Sequence, residues 1–105
     1  DYIVVPDSNA LDLTDHFTIE CWIQPISTSN VTILRKGWCN GGDNAYQLNI
    51  KNGAVRWLWF QDGHCDNSSM YATPEDIIKT NKCTHITVVH SSSEVKIYVD
   101  TKLIE

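Results

Sequence analysis

Apolar and polar residues alternate with a period of two along much of the chain, which is the pattern of half-buried β-strands. In residues 17–24 the odd positions are apolar and the even positions are polar, with Trp22 as the exception. This run stops at Pro25, a residue that cannot donate a hydrogen bond to a sheet. Residues 31–34 form a second short run. Both runs predict strands.

A hairpin is predicted between residues 46–50 and 55–60, since both runs are strand-like and a turn signal separates them. The signal is the pair Asn52-Gly53, which supplies the two positive-φ residues of a type I′ turn. A two-residue loop at this position fixes which residues of the two strands face each other.

The remaining signals complete an all-β pattern. Residues 85–89 and 95–99 predict a second hairpin, and residues 74–78 predict a single helical turn capped by Thr73. The chain thus has about seven or eight short strands with turn signals at roughly 8–12 residue spacing, which is typical of a sandwich or barrel. We see no internal boundary, so residues 1–105 are predicted to be a single domain.

The cysteines predict disulfides and not a zinc or thioredoxin-like site, because no two of them form a C-x-x-C pair. Four cysteines allow three pairings. The predicted hairpin register places Cys65 opposite residue 40, one position from Cys39, and a bulge at the glycines 41 and 42 can absorb the difference. We therefore expect a Cys39–Cys65 bridge, which leaves Cys21–Cys83 by elimination.

Composition and charge limit the classes of partner and the cellular location that we predict for this protein. With 8 basic and 13 acidic residues the net charge is −5, so no basic stripe is available for nucleic acid or for an anionic membrane surface. No apolar run reaches the roughly 18 residues needed to cross a bilayer. Glycosylation sequons begin at Asn30 and Asn67. Together with the cysteines, they predict a glycoprotein that is extracellular or on the cell surface.

The order of motifs resembles a known family. Residues 2–8, 11–13 and 17–25 resemble the opening of laminin G-like, pentraxin-like jelly rolls of the concanavalin A-like superfamily, and residues 83–102 resemble a later pair of strands. This resemblance implies an antiparallel jelly-roll sandwich. The family's final strands would follow Glu105, so we expect them to be missing here and supplied by a further segment or chain.

Two residues depart from the family pattern. Cys83 stands where the family usually has tryptophan, which agrees with a disulfide there. Thr101 replaces the usual glycine, which predicts a differently built final turn.

A calcium site is a candidate at Asp43-Asn44, because calcium-binding pentraxins carry an Asp-Asn pair at what looks like the matching position. Carboxylate and amide oxygens suit Ca²⁺, which takes about 6–8 oxygen ligands. The family's other ligands come from a later loop that this chain does not contain. The alternative is that Asp43-Asn44 is a loop turn. No other cofactor is indicated.

The aromatic residues offer a candidate surface for sugar rings. Trp57 and Trp59 share one strand face with Val55, so we predict that they pack in the core. Trp38 lies in a predicted loop beside Gly37 and is therefore the candidate for exposure and ligand binding.

Catalysis is not predicted. The superfamily's glucanases use a Glu-x-Asp-x-x-Glu strand, and this chain has no such spacing; its close acidic pair, Glu75-Asp76, lies in a predicted turn. We therefore expect a non-catalytic recognition or adhesion module that binds an extracellular protein or a glycan. The alternatives are a calcium-dependent pentraxin-type lectin completed by residues outside this chain, and a structural spacer domain in a surface filament or receptor stalk.

Overall fold

The chain folds into β-strands. A computed structural model describes residues 3–6, 8, 16–37, 45–60, 68–91 and 94–104, and none of these residues is helical. Among them, no helix has the length and apolar composition that crossing a membrane requires. The strands are β1 (Phe17–Ile23), β2 (Asn30–Lys36), β3 (Ala45–Lys51), β4 (Ala54–Phe60), β5 (Ser68–Ala72), β6 (Thr84–His90), β7 (Val95–Val99) and β8 (Lys102–Leu103).

The strands form two antiparallel sheets of four strands each, in the orders β1-β6-β7-β8 and β2-β3-β4-β5. Each sheet turns an apolar face toward the other, because side chains alternate between the two sides of a strand. This arrangement confirms the predicted all-β, antiparallel jelly-roll sandwich.

The core lies between the sheets and contains aromatic rings from both of them. Trp57 is fully buried and Trp59 is 5% exposed, which confirms the prediction that both belong to the core. Phe17 of β1 reaches across to them, with its ring centroid 5.7 Å from Trp57 and 5.4 Å from Trp59. Tyr46 stacks on Trp57 at 5.6 Å. The aromatic contacts therefore join the two sheets.

The β3–β4 hairpin has the predicted turn and register. Asn52 has φ 51° and Gly53 has φ 77°, as a type I′ turn requires. Tyr46 lies opposite Trp59. The turn also docks against its surroundings, because the Gly53 N–H donates to the Thr28 carbonyl at 2.9 Å and the Gly53 carbonyl accepts from the Ile78 N–H at 2.8 Å.

The helical turn predicted for residues 74–78 is wrong. Thr73 does not cap a helix; its Oγ1 accepts a hydrogen bond from the Val55 N–H at 3.0 Å, and its hydroxyl donates to the Pro74 carbonyl at 3.0 Å. The Asp76 N–H donates to the Asn52 carbonyl at 3.1 Å, and Asp76 has φ 62°, outside the helical region. Contacts with the β3–β4 hairpin therefore determine this segment's conformation.

The predicted Cys21–Cys83 bridge is wrong, because both residues are free thiols. The pairing of β1 with β6 aligns Cys21 with Ile86, three residues beyond Cys83. Three residues of strand span about 10 Å, whereas bridged Cα atoms lie within about 7 Å. Cys21 is half-buried, and burial raises the pKa of its thiol. Cys39 and Cys65 lie outside the described residues, so that bridge stays a prediction.

The β7–β8 turn places a β-branched residue in a conformation that favours glycine. Asp100 has φ 52° and Thr101 has φ 67°, again the pattern of a type I′ turn. Thr101 therefore holds a positive φ at the position where the resemblance places a glycine. A left-handed conformation costs a residue with a Cβ about 1–2 kcal/mol, so Thr101 stores strain in this turn.

We expect Thr101→Gly to raise the free energy of unfolding by about 1 kcal/mol, because glycine adopts this φ without strain but has more freedom to lose on folding. Urea denaturation measures the change. Asp100→Gly is the matched control and should not stabilise, since it removes the carboxylate that accepts the His85 N–H at 3.0 Å. An unchanged or lowered stability of Thr101→Gly would show that Thr101 is not strained in this turn.

Candidate functional site

The outward side of the β1-β6-β7 sheet carries aromatic, charged and hydroxyl side chains. We call this surface the Trp22 face. It consists of the side chains that alternate with the core residues of the three strands, namely Thr18, Glu20, Trp22, His85, Thr87, Val89, Lys96 and Tyr98. All of them project from regular strands, and such a scaffold positions side chains more accurately than a loop does.

Trp22 is the prominent residue of this face. It is 69% exposed, although its strand neighbours Cys21 and Ile23 point toward the core. Its ring centroid lies 4.8 Å from that of His85, with an angle of 47° between the rings, and the two residues are direct partners across β1 and β6. One edge of the indole is therefore supported by protein while much of its surface remains in water.

The strand carrying His85 is anchored next to this ring pair. The His85 N–H donates to Asp100 Oδ1 at 3.0 Å, and the Asp100 N–H donates to the His85 carbonyl at 2.8 Å. The strained turn at Thr101 follows directly. The exposed indole of Trp22 therefore lies beside His85, whose backbone is held to Asp100 by these two hydrogen bonds.

Polar groups lie in the next row of the face. Glu20 faces Thr87 across β1 and β6, and Thr87 faces Tyr98 across β6 and β7. Cross-strand neighbours lie about 4.5–5.5 Å apart at Cβ, so a carboxylate, a hydroxyl and a phenol are within reach of one small molecule lying beside the indole. An aromatic ring can pack against the C–H side of a sugar while such groups bond its hydroxyls.

Sequence reasoning did not assign this site. Trp22 was visible as the apolar residue that breaks the alternation of its strand, and that exception was the available signal. The predicted ligand-binding residue, Trp38, lies outside the described residues. So do Asp43 and Asn44, and the calcium site stays a prediction. In the part of the chain that the structure describes, no three His, Cys, Asp or Glu side chains form a possible metal cluster.

The structure describes one of the two glycosylation candidates, Asn30. Asn30 is exposed at the first residue of β2, as an acceptor of a glycan must be. Asn30 therefore stays a candidate acceptor. Asn67 lies outside the described residues.

Comparison with known proteins places the fold. The carbohydrate-binding module CBM66 from Bacillus subtilis has a similar structure, with a TM-score of 0.59 and 21% sequence identity over 88% of this chain. The chain spans 58% of the length of that protein. No curated protein sequence matches the chain significantly. The family model of the concanavalin A-like lectin/glucanases superfamily matches residues 1–105, so the chain belongs to that superfamily, as its motifs indicated.

Proposed function

We propose that this chain is a non-catalytic glycan-binding module that holds sugar rings on the Trp22 face. The observation that carries the proposal is the 69% exposed indole of Trp22, supported by His85 on a rigid sheet. A single exposed apolar residue is ordinary on a protein surface. Here the indole lies beside the polar row of Glu20, Thr87 and Tyr98, which adds the hydrogen-bonding groups that a sugar needs.

Membership of the superfamily and the similar structure of a carbohydrate-binding module support the glycan class of ligand. One fold hosts many functions, so the fold alone does not identify a ligand. The Trp22 face adds a surface whose chemistry suits a sugar. Packing against the indole removes apolar surface of both partners from water, at about 25 cal/mol per Å².

We further propose an extracellular or cell-surface location, in which the module recognises a glycan of a matrix or of another cell. The exposed sequon at Asn30 supports this location. The proposed binding does not use calcium, because the sugar stacks on the Trp22 indole and bonds to the polar row. Three carboxylates of the described residues nevertheless lie on or beside this face: those of Glu20, of Asp100, which accepts the His85 N–H, and of Glu94, whose Oε1 lies 3.4 Å from the Lys96 Nζ. Binding without calcium separates the proposal from a calcium-dependent lectin.

The test is a glycan array followed by titration calorimetry with the best neutral oligosaccharide, in the presence and absence of EDTA. We expect Trp22→Ala to weaken binding at least tenfold, because the sugar loses its stacking surface, and EDTA to have no effect. Base stacking on an aromatic side chain, an analogous contact, is worth about 1–3 kcal/mol.

The matched control is Trp22→Phe, which keeps an aromatic ring at the same position and should retain most of the affinity. Loss of binding on adding EDTA would favour the calcium-dependent lectin. The absence of any glycan ligand would favour a protein-binding module or a structural spacer.

A further inference from the structure

The outward side of the second sheet differs sharply in charge from the chain as a whole. We call it the Arg56 face. It includes the outward side chains of β2, β3, β4 and β5, namely Asn30, Thr32, Arg35, Gln47, Asn49, Lys51, Arg56, Leu58 and Met70, and the glycosylation candidate Asn30 is the direct partner of Lys51. Among the described side chains of this face, the charged ones, Arg35, Lys51 and Arg56, are all cationic, although the net charge of the chain is −5. Such a separation of charge attracts anions to this face.

Two polar atoms at the centre of this face are buried without partners. Asn49 and Arg56 face each other across β3 and β4, and Asn49 is only 6% exposed. Within the described residues, neither Asn49 Oδ1 nor Arg56 Nε has a hydrogen-bond partner. A buried polar atom left unsatisfied costs about 1–3 kcal/mol, and more when the group is charged. The pair therefore presents one acceptor and one charged donor that the protein does not use.

A second donor of the Arg56 guanidinium, Nη2, has only a weak hydrogen-bond partner. Arg56 Nη2 donates to Met70 Sδ at 3.1 Å, and a thioether is a poor acceptor. Met70 is 55% exposed and flexible, so a better acceptor can displace it. Movement of Met70 leaves Nε and Nη2 on one edge of the guanidinium, which is the geometry that binds both oxygens of a carboxylate.

On the β2–β3 side of this pair the neighbouring side chains are polar and held in place, whereas Leu58 and Met70 lie on its β4–β5 side. Gln47 lies two residues before Asn49 on the same side of β3, and its Nε2 donates to Thr32 Oγ1 at 3.3 Å. The unused acceptor, Asn49 Oδ1, requires a donor from the ligand. A sulfate or phosphate without hydroxyls does not supply that donor. A sugar acid supplies both a carboxylate for Arg56 and a hydroxyl for Asn49.

We propose that the Arg56 face is a second binding site, specific for the uronate groups of an acidic glycan. The Arg56 guanidinium binds the carboxylate in place of Met70, and Asn49 Oδ1 accepts a ring hydroxyl. The choice of a glycan rests on the proposed function. The site itself is on the opposite sheet from the Trp22 face and uses charge where the Trp22 face uses stacking.

The test is titration calorimetry of the protein with tri-galacturonate at 150 mM NaCl, with its methyl ester as the uncharged counterpart. We expect Arg56→Gln to weaken binding at least tenfold. Arg56→Lys should recover only part of the loss, because lysine lacks the paired donors. Asn49→Asp should weaken binding at least tenfold, since its carboxylate competes for Arg56. Thermal unfolding of each variant establishes that it is folded.

Two controls locate the effect. Lys102→Gln removes one positive charge from exposed β8 and should change the affinity less than twofold. Trp22→Ala should leave the affinity for tri-galacturonate unchanged, and Arg56→Gln should leave the affinity for the neutral glycan unchanged. The two proposed binding sites can therefore be refuted independently of each other. Equal losses in Arg56→Gln and Lys102→Gln, equal binding of the methyl ester, or no binding of tri-galacturonate would overturn the proposal.

Discussion

Replacing Trp57 with alanine is expected to lower the free energy of unfolding by about 3–5 kcal/mol, the range measured for large aromatic residues truncated in cores. Trp57 is fully buried, and its ring lies 5.7 Å from Phe17 of the opposite sheet and 6.2 Å from Trp59. Its removal leaves a cavity where the two sheets meet. Urea denaturation followed by circular dichroism measures the loss.

Trp22→Ala is the matched control, since it is the same substitution on the outward side of a strand. Trp22 is 69% exposed, so little apolar surface returns to water when the ring is removed. We expect a loss below about 1 kcal/mol. Similar losses for the two variants would contradict the assignment of Trp57 to the core and of Trp22 to the surface. The contrast matters for function, because Trp22→Ala then reports on binding and not on folding.

Replacing Gly53 with alanine is expected to cost about 3 kcal/mol, from backbone strain and from displaced neighbours. Gly53 has φ 77°, a conformation that residues with a Cβ rarely adopt. An added Cβ would also lie 2.8 Å from the backbone N and Cα of Asp76 and 3.2 Å from the Ile78 carbonyl oxygen. The hairpin and the segment containing Asp76 must move apart, which weakens the hydrogen bonds between them.

Gly37→Ala separates the cost of backbone strain from the cost of displacing neighbouring atoms. Gly37 has a similar φ of 68°, but among the residues that the structure describes an added Cβ would meet only the Ala45 Cβ at 3.4 Å and its Cα at 4.0 Å. It should therefore cost only the conformational part, about 1 kcal/mol. Equal losses of stability in the two variants would show that the contact with Asp76 is unimportant. Denaturation curves with the same slope would allow the two losses to be compared directly.

The predictable part of the fold is its local part. Asn52-Gly53 determines its own turn and the register of the strands it joins, because both required φ values lie within the pair. Strand β5 was not predicted, since Ser68–Ala72 has no alternating apolar pattern of its own. It forms by pairing with β4, where Tyr71 lies opposite Trp57. The turn at Asp76 was misassigned for the same reason, because its hydrogen bond goes to the distant residue Asn52.

Contacts between distant segments also explain why the Cys21–Cys83 pairing was wrong and why Trp22 was not assigned to a site. The alignment of Cys21 with Ile86 depends on pairing strands that lie far apart in sequence, which no local pattern reveals. The same is true of the neighbours of Trp22. The sequence shows that Trp22 is an apolar residue at a position where the strand pattern expects a polar one. Its position beside His85 and near Thr87, however, depends on the pairing of β6 with β1. The core positions of Trp57 and Trp59 could therefore be predicted from one strand's own pattern, whereas the surroundings of Trp22 could not.

The location of the bound glycan decides whether the Trp22 face is the binding site. ¹H–¹⁵N NMR spectra recorded during titration with the neutral oligosaccharide would report on every backbone N–H and on the indole N–H groups. We expect the largest shifts at the Trp22 indole and at the amides of His85, Thr87 and Tyr98, with the amides of the opposite sheet unaffected. Shifts confined to other residues, or a Trp22 indole signal that does not move at saturation, would contradict glycan binding on the Trp22 face.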